Sequence, residues 1–259
     1  MRNQTKWVAW AVFMFCAVSA LAQTKPVVTI GGSVWNAKSE FEGDAYEGMK
    51  ADAGTWVGPY LNIRMGKILL GTSMYFGKIP LKIGTGGSED VSIDLSRSDL
   101  NFSLGYSILN NLNAFFAVKN AKIKGDKTIP FTLGEYEDFG NLIYYDTKWK
   151  LENKGTLFGG GLSGTYRFPQ SPIFLFASFA LLKGTMNSNG SWTYQNEDIV
   201  PSNEKDMDVT LKSFNGGLGF QTGSGISILV GYRGENSSGE GGGEEKVNGI
   251  MATLAYTLR

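Results

Sequence analysis

The sequence predicts an all-β protein: a ten-stranded antiparallel, up-and-down transmembrane β-barrel behind a cleaved export signal. Three observations carry this expectation. Apolar and polar residues alternate with period two in ten successive segments. After the N-terminal leader, no stretch stays apolar for the roughly 20 positions that a helix needs to cross a bilayer. The longest apolar run is residues 173–182, which leaves a closed barrel as the way this chain would span a membrane. The connections between segments, finally, alternate strictly between short and long.

Residues 1–22 read as the signal. Arg2 and Lys6 precede an apolar stretch from Trp7 to Val18, and Ala20 and Ala22 supply the small side chains expected before a cut at Gln23. The apolar stretch is too short for a membrane anchor. Bulky Phe13, Met14 and Phe15 ahead of Cys16 do not form a lipid-attachment motif. Residues 23–259 are then one barrel domain.

The segments follow in order, named by their apolar faces. Val28, Ile30 and Val34 mark the first, Val57, Leu61 and Ile63 the second, and Ile68, Leu70, Met74 and Phe76 the third. Leu100, Phe102, Leu104 and Tyr106 mark the fourth, and Leu112, Ala114, Phe116 and Val118 the fifth. Phe158, Leu162, Tyr166 and Phe168 mark the sixth; the seventh, Ile173 to Leu182, is apolar on both faces. Phe214, Leu218 and Phe220 mark the eighth, and Ile226, Ile228, Val230 and Tyr232 the ninth. The tenth carries Ile250, Ala252, Leu254, Tyr256 and Leu258.

None of these faces holds a charge, whereas Arg64, Lys119, Arg167 and Arg233 all fall on the opposite face. A soluble barrel or sandwich also alternates, with its apolar face inward. The connections separate the two. Short ones lie near Gly66, at Asn110–Asn111, at 169–172 and at 222–225; long ones cover about residues 39–54, 78–91, 124–155, 184–207 and 234–247. Both termini fall on the short-turn side. Strands of about 10 to 13 residues also suit a tilted crossing. Aromatic residues at the strand ends (Tyr106, Tyr166, Phe168, Phe220 and Tyr256 toward the turns, Phe76 and Tyr232 toward the loops) are placed as a head-group belt would be.

On these features the chain resembles a Gram-negative outer-membrane β-barrel, in the broad OmpA-like or small-porin sense. The last strand, GIMATLAYTLR, is similar to the C-terminal insertion signal of such barrels, with Ile250, Leu254, Tyr256 and Leu258 as its alternating apolar positions. It departs from the pattern in ending on Leu258 rather than an aromatic, and in the Arg259 that follows. The resemblance implies contact with outer-membrane lipids and lipopolysaccharide, and with the barrel-assembly machinery during biogenesis.

The chemistry is narrowed by what the chain lacks. Its 24 basic and 24 acidic residues balance, which argues against a nucleic-acid partner. It has no histidine, and its one cysteine is Cys16 in the leader. Histidine-dependent triads, histidine metal ligands and cysteine sites are therefore out. The omptin proteases, the outer-membrane phospholipase and the lipid A-modifying barrels, which the chain resembles in architecture, depend on a histidine. The expectation is a protein that is not an enzyme and has no cofactor or metal. The carboxylate pairs Asp94/Asp99 and Glu137/Asp138 read as solvated charges, and the stretch holding Glu235, Glu240, Glu244 and Glu245 as a flexible loop.

Two candidate sites remain. Arg64, Lys119, Arg167 and Arg233, with Tyr60 and Tyr75, line the lumen. Tyr136, Tyr144, Tyr145, Trp149 and Trp192 form an outer-loop contact surface, or strands extended above the membrane. The expected function is a narrow, porin-like pore for small polar solutes. The alternative is a closed barrel with a structural or adhesive role through its long extracellular loops, its arginines paired with inward acids.

Overall fold

The computed structural model describes residues 25–42, 49–83, 91–132, 144–194, 197–239 and 243–258. The leader and Tyr136 lie outside the described residues. Strand β1 (Val27–Glu42) is followed by β2 (Met49–Ala51) and β3 (Ala53–Met65), two pieces of one stave that both pair with β4 (Ile68–Ile83). Then come β5 (Val91–Leu109), β6 (Leu112–Thr132), β7 (Tyr144–Arg167), β8 (Ile173–Tyr194), β9 (Glu197–Gln221), β10 (Ile226–Gly239) and β11 (Glu244–Leu258).

Each stave pairs antiparallel with its sequence neighbours, and β1 pairs with β11 from Val28↔Leu258 to Glu42↔Glu244. Ten staves thus close into an up-and-down barrel with no free edge, as the sequence predicts. The last strand, paired on both sides, is a full member of the wall. The turns at one end are tight. Met65 pairs with Ile68 across Gly66–Lys67, where Gly66 sits at φ 59°, a conformation open to glycine. Leu109 pairs with Leu112 across Asn110–Asn111.

The strands run farther than the expected 10 to 13 residues: β7 has 24 and β9 has 25. Much of what reads as long loop is strand. The cause is a change of phase along each stave. Nearest the turns, apolar residues face out and polar ones face in. On β4, Leu70 and Phe76 are exposed while Gly71 and Ser73 face the lumen. Beyond Phe76 the alternation continues with its sense reversed: Lys78 and Lys82 face out, and Ile79 and Leu81 are buried inside. On β5 the exposed residues change from Phe102 to Asp94 and the inward ones from Asn101 to Leu95 and Ile93. On β9 they change from Leu218 and Phe214 outside to Lys212 outside with Leu211 and Val209 within.

The barrel therefore has two tiers. The lower tier shows an apolar girdle to its surroundings, which only a lipid environment accommodates at this extent. The upper tier has the pattern of a water-soluble barrel, polar outside and dry inside. Its core is a cluster of buried residues including Ile79, Leu81, Ile93, Leu95, Ile123 and Val247.

Candidate functional site in the lumen

The lumen wall changes character with height. Near the turns it is lined by neutral hydrogen-bonding groups. Ser33 and Thr253 hydroxyls meet at 2.7 Å, Thr29 and Thr257 at 3.0 Å, and Asn101 Nδ2 donates to Ser73 Oγ at 3.3 Å. Arg64 stands exposed at this mouth, its Nη2 donating to Ser107 Oγ at 3.1 Å. Arg167, also exposed there, donates to Gln221 and lies over the Phe174 ring at 5.1 Å.

Above this wet section the lumen is crossed by a layer of charge. Residues two apart on a strand share a face, so β5 directs both Arg97 and Asp99 inward and β10 directs both Arg233 and Glu235. Lys119 joins them from β6 and Glu245 from β11. Arg97 holds Asp99 in a two-point pair, Nε to Oδ1 at 3.1 Å and Nη2 to Oδ2 at 3.1 Å. The same guanidinium reaches Glu235 Oε2 at 3.1 Å and Glu245 Oε1 at 3.0 Å. Lys119 Nζ bridges Asp99 at 2.8 Å and Glu235 at 2.7 Å, and Arg233 Nη2 donates to Glu235 Oε1 at 2.6 Å. Three cations meet three anions, and Arg97, Asp99, Lys119 and Glu235 are each at most 7% exposed.

In a ring of ten staves, β5 and β10 stand five places apart, on opposite walls. The Arg97–Glu235 pair therefore spans the full diameter. Aromatic rings close the layer from the remaining side. Trp35 and Trp56 meet edge to face at 4.6 Å between ring centres. Arg233 lies 4.6 Å from the Trp35 ring and 4.5 Å from Tyr75, and Arg97 lies 4.8 Å from Trp56. Gly77 makes the arrangement possible, because a Cβ there would overlap the Trp56 indole. On top sits the upper core, a cluster of buried apolar side chains.

The residues singled out from sequence divide accordingly. Arg64 and Arg167 sit at the turn-side mouth. Lys119, Arg233 and Tyr75 belong to the charged layer and its aromatic border, and half-buried Tyr60 lies in the wall below it. Trp149, expected on an outer loop or on a strand extended above the membrane, is an inward residue of β7, 8% exposed and packed in the upper core rather than part of a contact surface. It faces inward because odd-numbered residues of β7 face the lumen along the whole strand, and in the upper tier the inward positions are the apolar ones. Tyr144, Tyr145 and Trp192 lie on the upper ends of β7 and β8. Ile250, Leu254, Tyr256 and Leu258 all face outward from β11.

Sequence reasoning missed Arg97, Asp99 and Glu235. Asp94 and Asp99 do not form a carboxylate pair: Asp94 faces out to Lys78 at 3.0 Å, while Asp99 is buried in the lumen. Glu235, expected in a flexible loop, lies within β10 and is 3% exposed. Spacing by two was the available signal, since Arg97 and Asp99 keep the parity of the inward residues Asn101 and Ser103.

No protein-family model matches the chain, and neither does any curated protein sequence. Solved structures share its fold. The translocator domain of the autotransporter NalP from Neisseria meningitidis aligns with a TM-score of 0.54 at 10% identity, covering 97% of each chain. The outer membrane protease OmpT from Escherichia coli aligns with a TM-score of 0.50 at 12% identity, covering 90% of this chain and 97% of that one. At these identities the likeness establishes the fold, that of outer-membrane β-barrels.

Proposed function

We propose that the chain is an outer-membrane protein whose sealed barrel serves as a rigid, non-catalytic scaffold, carrying its upper tier out of the membrane as a structural or binding surface. The single observation that carries this reading is the Arg97–Glu235 contact between opposite walls, buried within a balanced network. A channel for polar solutes needs a continuous wet path. Here the path would have to pass a layer in which charged groups already satisfy one another, and then a dry core. The apolar girdle, the fold and the N-terminal leader support the location. In that setting the turns and both termini face the periplasm, the upper tier faces outward, and the last strand presents its apolar face to the assembly machinery.

Conductance in planar bilayers tests the reading. The sealed barrel gives no stable single-channel steps. Stable steps that change when Arg64 or Arg167 is neutralised would instead favour the narrow pore. The membrane location is tested separately by heat-modifiable migration in gels and by insertion into vesicles.

A further inference from the structure

The outer wall carries a feature that the lumen does not explain. Where the girdle of β4 to β7 gives way to the upper tier, two adjoining grooves open on the outside, with volumes of about 520 and 410 Å³. The floor of the first is apolar, formed by Met74, Phe76 and Leu100, and Phe76 continues it into the second. Their upper rims are cationic: Lys122 and Lys154 over the first, and Lys78, Lys122 and Lys124 over the second. The hydroxyl and amide groups of Ser98, Asn120 and Thr156 lie between floor and rim.

The charges do not cancel. Lys78 pairs with Asp94 at 3.0 Å, and Lys122 and Lys124 share the single carboxylate of Glu152 at 3.2 and 3.3 Å. Lys154 faces Lys122 directly across the β6–β7 ladder, and has no acidic partner among the described residues. Four cations against two anions leave an excess of two positive charges. Like charges directly opposed across a ladder repel, so this arrangement costs stability unless an anion lies between them.

We propose that these grooves are a docking site for a lipid with a phosphorylated head group, its phosphates held between the lysines and its acyl chains running down over Phe76 and Leu100. The site rests on the membrane reading above, because only in that setting do lipid chains reach the floor. Amphiphilic complementarity identifies the occupant: an apolar floor continuous with the girdle, and a cationic rim at the height where head groups begin. From β4 to β7 is three strand spacings, about 14 Å, wide enough for a head group with two separated phosphates. Free phosphate would use the rim and leave the floor unfilled.

The test is native mass spectrometry of the full barrel in detergent with diphosphoryl lipid A as probe, against dioleoylphosphatidylcholine, whose head group has no net charge. The wild type retains the diphosphoryl lipid preferentially, and the Lys122→Gln/Lys154→Gln double variant retains it about tenfold less, as expected when charge-assisted contacts are lost. A Lys183→Gln/Lys212→Gln variant, altered on β8 and β9, binds as the wild type does. Equal retention of the two lipids overturns the proposal, and so does undiminished retention by the first double variant. Each variant is also scored for heat-modifiable migration and vesicle insertion. A wild type that fails to insert refutes the membrane reading itself, whereas normal insertion with unaltered lipid retention refutes only the lysine site.

Discussion

Replacing Glu235 with Gln perturbs the buried charged layer with the least change of shape. Glu235 Oε2 accepts from Lys119 and Arg97, and Oε1 accepts from Arg233. An amide has one acceptor to offer. Its oxygen would turn to the side with two donors, leaving its NH2 against the Arg233 guanidinium. The layer would then hold three cations and two anions, all out of water. Breaking a buried, hydrogen-bonded ion pair from one side costs about 3–5 kcal/mol, because the surviving charge stays desolvated and uncompensated. That is a large share of the 5–15 kcal/mol that holds a typical domain together. Adding Lys119→Met removes the surplus cation, leaving Arg97 and Arg233 against Asp99 and Glu245, and should restore much of the loss. The assay is urea unfolding of the barrel in micelles, followed by tryptophan fluorescence, since Trp35 and Trp56 touch the two guanidinium groups. A loss below about 1 kcal/mol for Glu235→Gln, or a double variant no more stable than the single one, would mean that the layer is not a desolvated, mutually dependent network.

Three further outcomes follow from other parts of the wall. Trp149→Ala should destabilise the barrel by about 3–5 kcal/mol in the same urea assay, the cost of emptying a large buried aromatic site, whereas a loop tryptophan would register almost nothing. Leu254→Arg, on the exposed face of β11, should cost about 2–4 kcal/mol when unfolding is measured in bilayers; an unchanged or raised stability would argue that this face meets water. Glu152→Gln should release Lys122 and Lys124 and strengthen retention of diphosphoryl lipid A in native mass spectra. Hydrogen bonds from Lys122 and then Lys124 hold the Glu152 carboxyl below its ordinary value of 4.5. Its lysine pairs are therefore intact above that pH and are lost only as pH falls through the lowered value. The difference between wild type and Glu152→Gln should accordingly persist down to pH 4.5, and its disappearance near pH 6 would contradict the assignment.

The lower tier was legible in the sequence because its code is simple. Each girdle strand alternates, carries no charge on its lipid face, and ends in a tight turn; closure then follows from counting staves whose edges need partners. The upper tier was hidden by its composition. Strands bearing Lys78, Asp94, Lys122, Lys124 or Glu152 at every second position look like loop when charge is taken as the loop signal. Trp149 and Glu235 were misplaced for that reason alone. Lys119 and Arg233 were found through the parity of their segments, whereas Arg97 lies beyond the segment on β5 where parity was followed. Their acidic partners Asp99 and Glu235 share that parity but fall where parity was no longer being followed, and the pairing of β5 with β10 across the lumen is a property of closure that no local pattern carries.

Keeping parity through the supposed loops shows what the reversal of phase requires. A stave that stays straight while its surroundings change from lipid to water must exchange its apolar face for its polar one. At the height of the exchange neither face has a settled character. Inside, polar groups from below meet apolar groups from above, and buried charge is tolerated there only when fully paired. The Arg97–Asp99–Lys119–Glu235 network meets that condition with partners drawn from three staves, and by doing so ties opposite walls together. Outside, the same height is where the apolar girdle meets its first lysines on β4, β6, β7, β8 and β9, at Lys78, Lys122, Lys154, Lys183 and Lys212. The charged layer in the lumen and the external cationic rim are thus two consequences of one boundary. Moving the boundary would move both, so that a charge introduced below it, such as Leu254→Arg, and a neutralised charge within it, such as Glu235→Gln, should weaken the barrel independently and add in the double variant.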